Sequence, residues 1–248
     1  GATTDLHSVT VESDQVARLM ISPEPKAKRT VEGDLGVYVN RWKVVESIGE
    51  EKLREQCREQ GFSMEHALET YRAIPKTEEE VKLVELLTRE AVVKAAERHA
   101  GRLRYIYGPS GRSTVAEGKD LTQVKYIVGT GGALTRLPHR EEIMREITRC
   151  NESGMLLLPG EHAQILVDHD YIMASLGVLS KRYPQAAARL LEQSLGITFP
   201  ERKAEEPVPV CNKELSRLET QRQQREEELQ RHIEECEAMG YDMSAYRE

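Results

Sequence analysis

Apolar residues recur at helical spacing in the segment that follows Thr77. The hydrophobic positions that share this helical face are Val81, Val84, Leu87, Ala91 and Ala95. Thr77 and Glu80 have the spacing of a capping box, in which each side chain accepts a hydrogen bond from a backbone amide of the first turn. The pattern therefore predicts a helix that runs to about His99 and ends at Gly101.

Segments rich in valine, threonine and isoleucine predict strands on both sides of that helix. Residues 1–11 predict one strand, and residues 16–21 predict a weaker one. After the helix, residues 105–107 predict a short strand and residues 108–118 predict a loop. Residues 123–128 form another β-rich run, which leads directly into a glycine-rich sequence.

The rest of this region alternates between the two patterns. Helices are predicted over residues 138–150, 168–179 and 184–195, and short strands over residues 155–158 and 163–167. Helices that alternate with strands are typical of α/β layering. The sequence therefore predicts an α/β fold in which a mixed sheet is flanked by helices.

Prolines and charge both divide the chain near residue 200. Prolines at positions 200, 207 and 209 disfavour helix in the residues before them, which predicts an extended linker. Residues 201–248 hold 8 basic and 13 acidic side chains, whereas the preceding residues hold 27 and 29. We predict a first domain over residues 1–199, and a linker with an acidic helical tail over residues 200–248.

The composition of the predicted tail leaves two interpretations open. Glutamate, arginine, glutamine and leucine dominate it, which predicts a helix. Arg222 and Arg225 interrupt the heptad seam that a sustained coiled coil requires. The tail is then either a solvated helix that packs one edge on the body, or a short helix that binds a partner.

Overall composition excludes several classes of function. The chain has 248 residues, a net charge of −7 and 5% aromatic residues, which disfavours nucleic-acid binding. It has no apolar run long enough to span a membrane, and its four cysteines lack the spacing of a zinc ribbon. With no signal peptide evident, we predict a cytoplasmic protein that binds neither nucleic acid nor membrane. Its start at glycine suggests processing, or a longer parent chain.

The first candidate for chemistry is the segment Gly1, Ala2, Thr3, Thr4 and Asp5. Its small residues leave the backbone open, so amide groups can approach an anion closely, and the threonine hydroxyls add donors. Asp5 is an acid that could orient water or hold Mg²⁺. The alternative is that the segment is simply the start of a strand.

The second candidate is the turn made of Gly129, Thr130, Gly131, Gly132 and Ala133. A β run enters it and a helix follows, which is typical of nucleotide sites at the carboxyl ends of strands. Its spacing matches neither the dinucleotide fingerprint nor a P-loop. The alternative is a tight turn between a strand and a helix.

Two weaker candidates lie elsewhere in the chain. The loop over residues 108–114 contains glycine, serine and arginine, and a surface turn is favoured over a phosphate site there. His162, Asp168, His169 and Asp170 form a local cluster of metal-ligating residue types. Helix capping by the two acids is favoured over a metal site.

The two glycine segments together resemble motifs of the actin, Hsp70 and sugar-kinase ATPase superfamily. The first is similar to the back half of its second phosphate motif, and the second to its adenosine motif. More specifically, the segments GATTDLHSV, KRTVEGDLG, EGKDLT and VGTGGALTRLP resemble the GlmL/MutL-type accessory protein of methylaspartate (glutamate) mutase. That family is unrelated to the mismatch-repair protein of similar name. The resemblance covers residues 1–198.

This resemblance implies a fold, a ligand and a role. The fold would be the carboxyl-terminal lobe of a two-lobed, ribonuclease-H-like ATPase, with ATP and Mg²⁺ bound between the lobes. Gly1, Ala2, Thr3 and Thr4 would contact phosphates, and Asp5 would serve the metal. The turn Gly129, Gly131, Gly132 and Ala133 would pass close to adenosine. The protein would be a chaperone of glutamate fermentation that ejects damaged cobalamin from the mutase.

The resemblance also implies partners and leaves enzymatic activity open. The leading acid and first glycine of the phosphate motif would precede Gly1, as would a first lobe with its own phosphate loop. We therefore expect this chain alone not to hydrolyse ATP, and expect its partners to be that lobe and the mutase subunits. One rival hypothesis is a non-enzymatic interaction module that acts through the acidic tail. A sugar or carboxylate kinase is a further rival, but no convincing substrate acid is found.

Overall fold

The structure, a computed structural model, describes residues 1–109, 111–151, 153–198 and 230–231. Residues 1–198 form one compact unit, and residues 199–248 form a second one. The predicted tail lies outside the described residues, apart from Gln230 and Arg231, which are helical. The interpretations of the tail therefore stay predictions.

The chain begins with an antiparallel strand pair. Strand β1 (Thr4–Val9) pairs with β2 (Ala27–Glu32), with Thr4 opposite Glu32 and Val9 opposite Ala27. Between them lies a short helix, α1 (Asp14–Ala17), where the sequence predicted a weak strand. That prediction was wrong because the Ser13 hydroxyl accepts a hydrogen bond from the Val16 amide and so caps a helical turn.

Helices then build the centre of the unit. They are α2 (Arg41–Ile48), α3 (Glu50–Glu59), α4 (Met64–Glu69) and α5 (Glu78–His99), after a 3-10 turn at Gly33–Leu35. The capping box predicted at Thr77 and Glu80 is confirmed, since both of its reciprocal hydrogen bonds are present. One side of α5 packs on α2 to α4 through Leu83, Leu86 and Leu87.

After α5, the chain forms an antiparallel hairpin that the sequence did not predict in full. Strand β3 (Arg102–Gly108) pairs with β4 (Gly111–Glu117) along their whole length. The loop predicted over residues 108–118, which included the weak phosphate candidate, is therefore wrong over most of its length. Its glycine, serine and arginine content reflects a solvent-exposed strand, in which most side chains have no core to match.

The second half of the unit contains a parallel strand pair. Strand β5 (Tyr126–Gly129) pairs with β6 (Gln164–Val167), and Tyr126 lies opposite Gln164. The connection contains α6 (Gly132–Arg136), α7 (Arg140–Arg145) and a 3-10 turn at Glu146–Thr148. Helices α8 (Met173–Leu179) and α9 (Pro184–Leu195) complete the unit.

Two predicted elements of this half differ from the structure. The helix predicted over residues 138–150 is shorter in the structure, where α7 covers Arg140–Arg145 and a 3-10 turn at Glu146–Thr148 follows it. The extended Leu137 before Pro138 separates this helix from α6. The strand predicted over residues 155–158 is reduced to an isolated bridge between Leu156 and Arg102.

The sheets and the core show how these elements assemble. The described residues form a mixed α/β unit with three two-stranded sheets, which are not joined to one another as one continuous sheet. The second side of α5, through Val84, Val92 and Ala96, packs with residues from the connection between β5 and β6. Helix α5 therefore lies between two hydrophobic clusters. Within the described ranges, no helix combines the length and the apolar character needed to cross a bilayer.

Candidate functional site

The segment before β1 is fixed by the chain that follows β2. The Gly1 carbonyl accepts hydrogen bonds from the backbone amides of Tyr38 (3.1 Å) and Val39 (3.2 Å). Gly36 lies so close to Ala2 that a Cβ on it would stand 2.1 Å from the Ala2 carbonyl oxygen. The open backbone of the first candidate segment is therefore held in place, and Gly36 is required there for close packing.

Two side chains of the first candidate segment already have partners. The Thr4 hydroxyl donates to the Leu35 carbonyl at 2.7 Å. The Asp5 carboxylate accepts from the Arg29 guanidinium at 2.7 Å, and both of these side chains are exposed. Thr4 thus serves the fold, whereas Asp5 is a surface acid whose cationic partner is also exposed.

Glycine occupies the positions of the second candidate segment for different structural reasons. Gly129 ends β5 in the core, where a Cβ would stand 2.3 Å from the Met144 sulfur atom. Gly131 has a φ of 91°, which favours glycine, and neither it nor Gly132 has an atom within 4 Å of a built Cβ. Gly129 is thus needed for packing, while the Gly131 and Gly132 backbone is open to a ligand.

A buried carboxylate holds this turn in place through hydrogen bonds. Asp168, directly after β6, is fully buried and accepts hydrogen bonds from the hydroxyls of Ser194 (2.6 Å) and Thr130 (2.7 Å). It also accepts from the backbone amides of Ile172 (3.1 Å) and Met173 (2.9 Å) at the start of α8. The favoured interpretation of Asp168 as a helix-capping acid is confirmed.

The charge state of Asp168 follows from these bonds. Burial alone raises the pKa of the carboxyl group, but the hydrogen bonds from Ser194, Met173, Thr130 and Ile172 outweigh it and leave the pKa below its ordinary value. The Asp168 amide also donates to the Gly129 carbonyl at 2.9 Å. Asp168 thus holds the glycine turn by its side chain and its backbone, a role that sequence reasoning missed because Thr130 and Ser194 lie far from it in the chain.

Contacts along helix α5 show the direction in which strand β1 runs. Leu6 packs on the cluster that contains Ala91 and Ala95. Further along β1, the Ser8 hydroxyl lies 2.7 Å from His99 Nε2 at the carboxyl end of α5. Strand β1 therefore runs in the same direction as α5.

Strand β5 runs the opposite way along the same helix. Lys119, which precedes β5, forms a bridge with Ala100 just after the end of α5. The chain that follows β5 reaches Glu85 in the first half of α5, where the His139 amide donates to its carboxylate at 2.9 Å. The amino end of β1, at Thr4, and the carboxyl end of β5, at Gly129, therefore point to the same end of the unit.

A cleft of about 230 Å³ separates these two strands. One wall is formed by all residues of Thr4–Val9, and the other by Tyr126, Ile127 and Val128. Apolar side chains line it between the strands: Val92, Ala95, Ala96, Leu134, Met144 and Ile147. The two candidate segments therefore continue from opposite walls of one cleft, although only Thr4 and Asp5 among the predicted site residues line it.

The side chains near Asp5 give limited support to the expectation that this residue holds Mg²⁺. Among the residues that the structure describes, no group of three or more histidine, cysteine, aspartate or glutamate side chains is placed to hold a metal ion. Mg²⁺ is commonly bound by one or two carboxylates together with substrate phosphates. Asp5 fits that mode and not a site made of protein side chains alone.

Comparison with known proteins gives the family. A family model described as MutL protein matches residues 1–195. The chain is 34% identical over 201 residues to Protein MutL of Clostridium tetanomorphum, a match that covers 79% of this chain and 43% of the relative. The chain thus spans less than half the length of that relative. No solved structure matches. The chain belongs to the MutL family, the glutamate mutase accessory family that its glycine segments resemble.

Proposed function

We propose that this chain is the nucleotide-binding lobe of an accessory ATPase that reactivates a cobalamin-dependent glutamate mutase. Membership of the MutL family supports the role with the mutase. One geometric observation carries the nucleotide site: the segments at Thr4 and Gly129 point to the same end of the unit from opposite walls of one cleft. Segments so far apart in sequence then face a single ligand.

The residues would share the ligand as follows. The open backbone at Gly131 and Gly132 lets a flat ring approach without meeting a side chain. The exposed backbone of Gly1, Ala2 and Thr3 would contact phosphates, while the Thr4 hydroxyl stays bound to Leu35. Bound ATP would supply a hydrolysable phosphate and most of the ligands of Mg²⁺.

Asp5 is the residue that would meet that metal. Its carboxylate is exposed and is held by Arg29 alone among the ion pairs of the described residues. Mg²⁺ arriving with phosphates would replace Arg29 as the counter-charge of Asp5, and Arg29 would then be free to pair with a phosphate. No further carboxylate is required if phosphates complete the coordination.

The action on the mutase would require a second lobe. A ligand shifts a conformational equilibrium only by its difference in affinity for the two states. ATP held between two lobes favours the closed arrangement, and a mutase subunit that binds one arrangement better would be bound or released accordingly. The expected partners are therefore the amino-terminal lobe and the mutase subunits.

Nucleotide titration of the longer protein, with both lobes, tests this proposal. Calorimetry with ATP and Mg²⁺ should show binding that Gly131→Val weakens at least about tenfold, because a branched side chain at positive φ distorts the turn. Gly177→Val is the matched control, since Gly177 lies in α8 with open space around it and is remote in sequence from both segments. No ATP binding, or equal affinities for the wild type and Gly131→Val, would refute the proposal.

A further inference from the structure

The β3–β4 hairpin is anchored to the unit at its base. On the edge of β3, the Leu103 amide donates a hydrogen bond to the Met155 carbonyl at 2.7 Å. On the edge of β4, the Ala116 amide donates to the Leu19 carbonyl, also at 2.7 Å. These bonds hold both edges of the hairpin at the point where it leaves the unit.

The outer half of the hairpin continues beyond these bonds, and we call it the arm. It comprises residues 105–108 and 111–114, and all of them except Thr114 are exposed. Among the described residues, no backbone hydrogen bond joins the arm to a segment outside the hairpin. Because a two-stranded hairpin on its own is marginally stable in water, contact with a further surface would stabilise the arm.

Three consecutive residues of the arm expose large apolar side chains. Tyr105 is 48% exposed, Ile106 is 47% exposed and Tyr107 is 80% exposed. Successive side chains of a strand point to opposite faces, so the two tyrosines lie on one face and Ile106 lies on the other. Exposed strands of soluble proteins commonly carry charges or proline that prevent association, whereas contiguous apolar side chains mark interaction sites. The arm therefore suits a groove, whose walls contact both faces of a strand.

An arginine prepares the tyrosine face of the arm for binding. Arg112 lies opposite Tyr107 in the register, and its guanidinium lies 4.4 Å from the centre of the Tyr105 ring. This cation–π contact favours one arrangement of a long side chain, which lowers the conformational entropy lost on binding. Tyrosine and arginine are enriched among the residues that contribute most to protein interfaces. These three side chains together have the composition of an interface hot spot.

The hairpin has a charge opposite to that of the chain as a whole. Residues 102–117 contain three arginines and one glutamate, a net charge of +2, whereas the chain has a net charge of −7. Glu117 pairs with Arg104 at 3.1 Å, which leaves two arginine charges without compensation inside the hairpin. A surface that complements the hairpin is therefore acidic. The net charge of the chain repels such a surface and the hairpin attracts it, which directs docking to the hairpin.

We propose that the arm docks into an acidic groove on a partner protein, and that this partner is a subunit of the glutamate mutase. The choice of partner rests on the proposed function, which gives the mutase subunits as expected partners. The place of the hairpin supports that choice. It begins at Arg102, just after α5 ends at His99, whereas the segments at Thr4 and Gly129 point towards the beginning of α5. This arrangement favours a partner other than a lobe that closes over the nucleotide.

Binding of the 248-residue chain to purified mutase subunits tests the arm. Each subunit is immobilised in turn on a biosensor, and the affinity is measured at about 50 mM and about 300 mM salt. We expect one subunit to bind the chain with an affinity that falls as salt screens the arginine charges. Tyr107→Ala should weaken binding at least about tenfold, and Arg112→Glu should do the same and reduce the dependence on salt.

A second pair of tyrosine and arginine provides the matched control. Tyr183, directly before α9, is 50% exposed, and the Arg182 guanidinium lies 5.4 Å from the centre of its ring. Tyr183→Ala and Arg182→Glu change the same residue types outside the hairpin, so they should leave the affinity unchanged. Because Tyr107 is even more exposed, Tyr107→Ala should keep the melting temperature within about 2 °C of the wild type, which separates loss of binding from loss of the fold.

Three results would overturn the proposal. Equal affinities of the wild type, Tyr107→Ala and Arg112→Glu would show that the arm is outside the interface. No binding of the wild type to any mutase subunit would reject the assigned partner, while the nucleotide titration with Gly131→Val remains a separate test of the proposed function. A dimer in analytical ultracentrifugation that Tyr107→Ala dissociates would assign the arm to a second copy of this chain.

Discussion

At the scale of single residues, hydroxyl groups of the candidate site serve the fold. Thr4 donates to the Leu35 carbonyl, and Thr130 donates to the buried Asp168 carboxylate. Sequence reasoning treated threonine hydroxyls in the first segment as donors to a ligand, and for Thr4 the structure gives a different partner. In the proposed nucleotide site, donors to a phosphate would then come mainly from backbone amides and from the exposed Thr3.

His99 shows how a buried polar residue fixes the strand that carries the first segment. Its side chain is fully buried, with Nε2 2.7 Å from the Ser8 hydroxyl and Nδ1 2.9 Å from the Thr30 hydroxyl. It therefore connects both strands of the β1–β2 pair to the end of α5. Burial, and then the positive charges of Lys28 and Lys119, lower the pKa of His99 from 6.5 to about 4.

This shift predicts a pH-dependent stability. The unfolded chain takes up a proton near pH 6.5, whereas folded His99 resists protonation down to about pH 4. The free energy of unfolding should therefore fall as the pH drops from about 6.5 to 4, by up to about 3 kcal/mol, and level off for this residue below that. Urea denaturation across this pH range measures the slope.

The matched variants separate His99 from the other titrating groups. His99→Gln should remove its part of the slope, because glutamine does not titrate, whereas His66→Gln at an exposed position should leave the slope unchanged. The attribution to His99 is wrong if the slope between pH 6.5 and 4 is the same in His99→Gln as in the wild type.

At the scale of elements, Asp168 connects the glycine turn to two helices. Its carboxylate accepts hydrogen bonds from Thr130 after β5, from the Met173 amide at the start of α8 and from Ser194 in α9. Removing its charge leaves these donors with a weaker acceptor. A change at Asp168 should therefore affect both stability and the position of the turn.

Asp168→Asn tests this connection. We expect a loss of about 2 kcal/mol in the free energy of unfolding, because hydrogen bonds to a charged acceptor are stronger than those to an amide. In the longer protein, nucleotide affinity should also fall if the turn contacts the ligand. The control is Asp170→Asn, since Asp170 is exposed and its substitution should leave both quantities unchanged. Equal stability of the two variants would contradict the structural role of Asp168.

Local signals allowed some elements to be predicted and left others hidden. Helix α5 could be predicted because its capping box and its apolar period lie within one segment. The β3–β4 hairpin was predicted only over residues 105–107, because most of its exposed side chains follow no apolar pattern. Helix α6 was not predicted as a separate element, whereas the start of the next helix after Leu137 could be predicted, because Pro138 disfavours helix in the residue before it.

At the scale of the whole molecule, the relation between the two glycine segments depends on long-range contacts. The sequence showed both segments and their order, but the shared cleft follows from contacts such as that of Ser8 with His99 and that of Glu85 with His139. No pattern within a segment encodes which strand edges face each other. The family could be predicted because the motifs themselves are local, as the match over residues 1–195 confirms.

The separate roles of body and tail can be tested by deletion. Residues 1–198 form one compact unit with its own core, so removal of residues 205–248 should leave its melting temperature within about 2 °C of the original value. In the longer protein, the same deletion should leave ATP affinity unchanged, because Gly131 and Asp5 lie in the retained unit. Capture of mutase subunits should then depend on Gly131→Val more than on the deletion. Loss of capture on deletion, together with no effect of Gly131→Val, would instead favour an interaction module that acts through the tail.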